Sequence, residues 1–449
     1  MILSIINYLK RGPSTSKEIQ AATGLSQSTI SRQIRDMGDR IVKIQIGRTV
    51  KYAATCNAFN SNDKIPLSVI DNSGKNILIA YVRPLNSGGF FLEQTRSATL
   101  LFLGEQKNGV YDDLPYFLLD LKPQGFLGRQ IAQKIASLCD DFPSDPRDWN
   151  SSHIGRYLIA DGDDLPGDFI LGEQAFLRLR QQPAAFSEKD YPEIANRVMS
   201  GELAGSSAGG EQPKFTVFNR DTQSHVIVKF SPQGENEIAT RWRDVLITEY
   251  HAAKIINDNI FLSATSRLLE MNGRLFLESQ RLDRIGLYGR SSMISLQVID
   301  AEYVGLGSNW PKVMRTLFNK RMVHEQDVLN AETVWYFGRL INNTDMHLGN
   351  LSLSIDGDFF KLLPIYDMCS MGFAPKSGGE VTPFTFEPPP IKDADINEEQ
   401  LETITKAAHI FWKNVAQDGR ISNQFKKYLQ QGMVRANGAD IQGNQNFLI

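Results

Sequence analysis

Apolar positions recur along this chain with two periods, one helical and one of strands, and the switches between them mark its parts. Over residues 1–57 the helical period comes first. Leu3, Ile6 and Leu9 share a face of a helix predicted over about residues 2–10 and stopped by Gly12-Pro13. Ser16 can cap a second helix, residues 17–23, which Gly24-Leu25 ends, and Ser26 a third in which Ile30, Ile34 and Met37 face inward. Residues 42–46 and 49–52 then alternate around a Gly47-Arg48 tip, the pattern of a wing. This predicts a winged helix-turn-helix. Ser28, Arg32 and Arg35 lie on the outer face of its third helix, Gln27 and Ser31 at the margin and Arg48 on the wing, on the side a DNA groove would meet.

Residues 58–74 are mostly polar and irregular and predict a linker. A small lobe follows over 75–284. It opens with strands at 78–82, 90–94 and 99–103 and an apolar helix within 113–121 whose role is packing. It continues with a hairpin of 215–218 and 226–230, a helix over 245–256, and a strand from Arg274 that runs into Gln280-Arg281-Leu282-Asp283-Arg284. From 285 to 449 the pattern is mostly helical, interrupted by a hairpin signature, 351–355 and 359–363, around Asp356-Gly357-Asp358. The sum is an α+β chain of two lobes behind a small head.

Composition and charge add direction. Hydrophobic residues at 41% and charged residues at 22% are ordinary for a soluble protein, and residues 1–6 are too short an apolar run for a span or a secretion signal. Cys56, Cys139 and Cys369 are too scattered for a disulfide framework, which favours the cytoplasm, with nucleoid association through the head. Residues 1–57 hold nine Lys or Arg against three acids, +6, and the remainder 39 against 48, −9. A basic head on an acidic body suggests that the head alone meets a polyanion.

The candidate chemistry centres on Asn343-Thr344-Asp345-Met346-His347-Leu348-Gly349-Asn350, with Tyr366-Asp367 past the hairpin. An Asp, an Asn five positions later and a further Asp are the order in which kinases supply a proton acceptor and two magnesium-binding oxygens. Taken singly, each of these residues could equally serve a polar turn. Upstream, Ser206 to Phe215 is rich in small residues whose amides can cradle a phosphate. Lys229, on a core strand beside that loop, is a cation for nucleotide phosphates. Glu249 can orient Lys229, or pair with Lys254 or Arg243 on a helix surface. Backbone groups around Gln280, Arg281 and Leu282 can meet an adenine. Two other readings use the same residues: a metal-dependent nuclease, and a transcriptional regulator whose body senses a ligand.

The combination Ser207-x-x-Gly210-x-Gln212-Pro213-Lys214, Lys229, Gln280 to Arg284, Asn343-Thr344-Asp345-x-His347-x-x-Asn350 and Tyr366-Asp367 resembles the HipA-like serine/threonine kinases of bacterial toxin-antitoxin systems. With its fused winged helix the whole chain looks like the HipH (YjjJ-type) branch. The resemblance implies a two-lobed kinase-like fold using ATP and Mg²⁺, with Asp345 catalytic and Asn350 and Asp367 as metal ligands. It implies nucleotide contacts from Ser207, Gly209, Gly210, Glu211, Gln212, Lys214, Lys229, Gln280, Arg281, Leu282, His347, Asn350, Tyr366 and Asp367, and autophosphorylation at Ser207. The partners it implies are a protein substrate, an aminoacyl-tRNA synthetase or other translation factor among the candidates, DNA, and a HipB-like antitoxin. Two departures stand out: the DNA-binding unit is fused here rather than separate, and Gln280 and Leu282 stand where an acidic residue and an aromatic are common.

Overall fold

The computed structural model describes residues 4–95, 99–173, 177, 183–201, 212–375 and 396–429. In the head, α1 (Ile5–Leu9), α2 (Ser16–Thr23) and α3 (Gln27–Met37) bury Ile5, Leu9, Ile19, Ile30 and Ile34 against a small sheet. Its strands β1 (Ser14–Thr15), β2 (Ile41–Ile46) and β3 (Thr49–Ala54) run in the order β1-β3-β2. Thr15, not Ser16, caps α2. Its hydroxyl accepts the Glu18 N–H, and the Glu18 carboxylate accepts the Thr15 N–H at 2.7 Å, so two orphan donors are satisfied at once. Ser26 caps α3 as the sequence predicts.

The stretch 58–74 is not a linker. Residues Ile65–Ile70 form β4, an inner strand of a five-stranded sheet, and Phe59 is buried against Gly155, where an added Cβ would stand 2.4 Å from the ring. Pro66 hid the strand, because proline argues against an interior position, yet it pairs opposite Tyr81 beside a register shift at Leu67/Ser68. With β5 (Asn76–Pro84), β6 (Phe90–Gln94), β7 (Val110–Tyr111) and β8 (Phe169–Leu171) the order is β7-β6-β5-β4-β8. The predicted strand at 99–103 is a 3₁₀ turn, Leu100–Leu103, because the Thr99 hydroxyl caps it. The predicted helix within 113–121 shrinks to Tyr116–Leu119.

The head is packed onto this sheet. Val42, Ile44 and Ala53 form one apolar cluster with Leu85 and Phe91. Beside it the buried Arg83 guanidinium donates to the Asp63 carbonyl at 2.6 Å, to Glu93 at 2.8 Å and to the Asp39 carbonyl.

A second sheet contains β9 (Ala185–Phe186), β10 (Lys214–Asn219), β11 (Ser224–Phe230), β12 (Ser266–Met271) and β13 (Arg274–Gln280), ordered β12-β13-β11-β10-β9. It has its own core of Tyr191, Ile194, Phe215, Val228, Phe230 and Phe276. The first sheet instead shares one continuous core with the helical region that follows, so the predicted small lobe 75–284 holds two sheets of different allegiance. After a short hairpin of β14 (Arg284–Ile285) and β15 (Gly289–Arg290) come helices Leu296–Tyr303, Trp310–Asn319, Glu325–Leu340 and Glu398–Gln417. A three-stranded sheet of β16 (Ile294–Ser295), β17 (Ser352–Asp356) and β18 (Phe359–Leu362) sits among them. Its β17–β18 turn is the Asp356-Gly357-Asp358 hairpin that the sequence predicts.

Candidate active site

Strands β10 and β11 pair antiparallel with Lys214 opposite Lys229, so two buried ammonium groups stand on one face of the sheet. Like charges in that position repel and need anions nearby. The long helix Glu237–Asn259, capped by Asn236, brings Glu249, whose Oε1 lies 2.5 Å from Lys229 Nζ. Asp367 supplies a second carboxylate to the same ammonium. Of the two roles the sequence leaves open for Glu249, orienting Lys229 is therefore the one the fold uses.

The electrostatics follow from this crowding. Burial alone would push Lys229 down, but the carboxylates of Asp367 and Glu249 raise it above the ordinary lysine value. Burial would likewise raise Asp367, yet Lys229 and Lys214 hold it below the usual carboxylate range. Glu249 is pushed up by burial despite Lys229, and Lys214 is pushed down by burial. Lys229 and Asp367 are thus kept ionised, a cation and an anion in contact.

Helix Glu325–Leu340 delivers the loop 343–350, and the chain turns into it at Asn342 with φ of 59°. Asn343 Oδ1 accepts the Asp345 N–H at 3.0 Å, and Asn350 Nδ2 donates to the Asp345 carbonyl at 2.6 Å. Asp345 is clamped through its backbone while its carboxylate stays 45% exposed, with His347 Nε2 3.8 Å away. Trp310 Nε1 donates to the His347 carbonyl at 2.9 Å and fixes the loop from below. Asp367 has φ of 54°, in the left-handed region that aspartate visits more readily than most residues.

Lys214, Lys229, Gln280, Arg281, Leu282, His347, Asn350, Tyr366 and Asp367 all line one cleft of about 200 Å³, together with Glu249 and the apolar Ile227, Ile365 and Met368. Asp345 stands beside that wall, joined to it through Asn350. Gln212 is buried, and among the described residues its Nε2 has no hydrogen-bond partner. Ser207, Gly209, Gly210 and Glu211 lie outside the described residues. Arg281 is only partly as expected: its guanidinium turns to Asp283 and Asp164, and its N–H is held by the His225 carbonyl at 2.9 Å. The Gln280 N–H is similarly committed, to the Thr265 carbonyl. Sequence reasoning missed Asp120, Lys122 and Gln124, which bring part of the region built around the first five-stranded sheet to the cleft wall. The available signal was a carboxylate closing the apolar run 116–119.

In the head, Gln27, Ser28, Ser31, Arg32 and Arg35 are all exposed on α3, and Arg48 is exposed at the wing tip. The five on α3 share one helix face by their spacing.

Residues 206–430 match the family model of the HipA-like C-terminal domain, 61–180 the YjjJ-like toxin middle domain, and 3–40 the bacterial regulatory proteins of the arsR family. Toxin YjjJ of Escherichia coli (strain K12) is 33% identical over 437 residues, 95% of this chain and 96% of its own. The chain belongs to the YjjJ-like family of HipA-type toxins. The YjjJ-like middle domain begins inside the stretch that the sequence predicts as a linker, in accord with β4. A HipA chain solved with HipB and operator DNA, from Shewanella oneidensis MR-1, superposes with a TM-score of 0.55 over 83% of this chain and 97% of that one, at 14% identity. The fold of this YjjJ-like chain is accordingly α+β and HipA-like, behind an N-terminal helix-turn-helix. The Helicobacter pylori proinflammatory kinase CtkA is also similar, with a TM-score of 0.33 and 14% identity over 49% of this chain and 90% of that one. Among the described residues no helix is long and apolar enough to cross a membrane.

Proposed function

We propose that this protein is an ATP- and Mg²⁺-dependent serine/threonine protein kinase whose fused helix-turn-helix binds DNA. The observation that carries the reading is Lys229 held between Glu249 and Asp367 in the cleft where the 280–282 segment and Asn350 also meet. Kinases need that Lys–Glu pair in place before transfer can occur.

The residues fit magnesium and nucleotide. Asn350 commits its amide nitrogen to Asp345, leaving its oxygen as an acceptor, and Asp367 adds a carboxylate. Among the described residues no three His, Cys, Asp or Glu converge as a metal cage. Two protein oxygens suit Mg²⁺, which usually completes its shell with phosphates and water. Bound there, the ion would neutralise charge on the phosphates.

Each side chain then has a task. Lys229 and Lys214 offset phosphate charge in a buried site where a cation acts strongly. Glu249 keeps Lys229 in place. His347 adds a donor beside Asp345, and the exposed Asp345 carboxylate accepts the proton of an incoming serine or threonine hydroxyl. Ile227 and Ile365 offer apolar walls to a base. Ser207 is the proposed autophosphorylation site, a charge that would exclude nucleotide phosphates from the pocket. Gln27, Ser28, Ser31, Arg32, Arg35 and Arg48 would meet DNA. The Shewanella protein was solved with HipB and operator DNA, which supports DNA and a HipB-like antitoxin as partners here.

The test is incubation with labelled ATP and Mg²⁺ beside plasmid DNA. Label on protein with intact plasmid supports the kinase. Nicked plasmid without transfer favours the nuclease.

A further inference from the structure

The first sheet's domain reaches the β17–β18 hairpin directly at its tip and, through β16, at its root, although it supplies none of the residues assigned above to phosphoryl transfer. At the root, Asp120 accepts the Ser295 N–H at 2.7 Å and, with its other oxygen, the Ser295 hydroxyl. Ser295 is the end of β16 and pairs with Ser352 of β17, while the next residue, Leu296, donates its N–H to the Leu351 carbonyl at 2.7 Å. The Ser352 hydroxyl shares a hydrogen bond of 2.7 Å with the Tyr366 hydroxyl, which also reaches the Gly349 carbonyl at 3.4 Å. Gly349 precedes Asn350, and Tyr366 precedes Asp367. At the tip, Asp358 Oδ1 accepts the Thr99 hydroxyl at 2.8 Å and the Leu100 N–H at 3.0 Å.

These contacts have one direction. The hairpin that separates Asn350 from Asp367 is tied to a domain earlier in the chain directly through Asp358 at its tip and indirectly at its root, where Asp120 holds Ser295 of the adjoining β16. Asp120 is the more telling of the two, because it lines the same cleft as both ligand candidates. Burial pushes its carboxyl up, a cost that the fold tolerates for the two hydrogen bonds to Ser295. A residue chosen for packing alone at the end of the apolar run 116–119 would be apolar.

We propose that Asp120 is a positioning residue for the Asn350–Asp367 metal site, acting through Ser295, Ser352 and Tyr366 to set the separation of the two ligands. The proposal rests on the kinase reading above. Groups one hydrogen bond behind a metal ligand typically change metal affinity by roughly 10- to 100-fold, and Asp120 is farther back. The expected effect is therefore a several-fold rise in the Mg²⁺ concentration needed for half-maximal effect.

The test uses the full chain and binding of a non-hydrolysable fluorescent ATP analogue, titrated with Mg²⁺ and separately with Mn²⁺. In Asp120→Ala the analogue should bind as in the wild type without metal, and the metal-dependent gain should need several-fold more Mg²⁺. Asp120→Asn supplies the control. Its amide oxygen can accept the Ser295 N–H and its nitrogen can donate to the Ser295 oxygen, so both links survive and the Mg²⁺ requirement should return close to that of the wild type. A role in stability alone would lower the melting temperature of Asp120→Ala without moving the Mg²⁺ requirement, and would overturn the proposal. Equal impairment of Asn and Ala would also overturn it, since charge rather than position would then matter. A wild type without metal-dependent analogue binding would overturn the kinase reading and this one with it, whereas normal wild-type binding and a normal Asp120→Ala would overturn this one alone.

Discussion

Lys229 Nζ lies 2.5 Å from Glu249 Oε1, and the same ammonium also meets Asp367. One buried cation thus joins the second sheet, the long helix and the segment that follows the β17–β18 hairpin. Replacing it with an apolar residue leaves the Glu249 and Asp367 carboxylates without their shared cation, with only Lys214 nearby to offset them. Lys229→Met should therefore lose nucleotide-analogue binding and be destabilised by about 3 kcal/mol in urea unfolding, the scale for breaking a buried pair. Glu249→Gln keeps a neutral acceptor and should lose less of both. Wild-type stability in Lys229→Met would mean that the triad is not under electrostatic tension.

A pH effect is expected away from the site. Asp168 is buried, with an Oδ1 that has no hydrogen-bond partner among the described residues, and burial pushes its carboxyl up to about 7. The folded chain therefore holds a proton that the unfolded chain gives up near pH 4. The stability this contributes is complete below about pH 4 and is lost as pH rises through about 7. Asp168→Asn cannot ionise, so it should gain on the wild type by up to about 4 kcal/mol between about pH 4 and pH 8. Parallel melting-temperature profiles across that range would contradict the assignment.

The head offers a separate test. Arg32 and Arg35 are exposed on α3, on the face opposite Ile30 and Ile34. The double Arg32→Ala, Arg35→Ala variant should bind DNA more weakly, and each lost phosphate contact should flatten the salt dependence by about one unit of slope. Point variants are preferable to deletion of residues 1–57, because deletion would strip Leu85 and Phe91 of their apolar partners and Arg83 of the Asp39 carbonyl. Unchanged affinity at every salt concentration would rule out this docking face.

What could be read from the sequence were features set by local spacing. The Asp356-Gly357-Asp358 turn fixed a hairpin, and inward Ile30 and Ile34 oriented α3. Lys229 could be singled out because a lysine on a core strand demands a partner. Illegible features depended on distant contacts. Pro66 masked β4, whose inner place is decided by β5 and β8. Nothing local shows that the Arg281 guanidinium is drawn to Asp164, 117 positions away, or that Asp120 reaches Ser295 across 175. The phosphate-loop assignments at Ser207, Gly209, Gly210 and Glu211 rest on sequence, since they fall outside the described residues.

Asp345 carries the central claim, as the exposed carboxylate of a loop whose backbone is otherwise tied down. Asp345→Asn preserves shape but removes the proton acceptor, so transfer should fall by about 10²- to 10⁴-fold with the circular dichroism spectrum unchanged. The direct measurement is intact-protein mass spectrometry after incubation with ATP and Mg²⁺, followed by site mapping. The account predicts a mass gain of one phosphate on the wild type, mapped to Ser207, and none on Asp345→Asn. No gain on the wild type, or an equal gain on a folded Asp345→Asn, would contradict it.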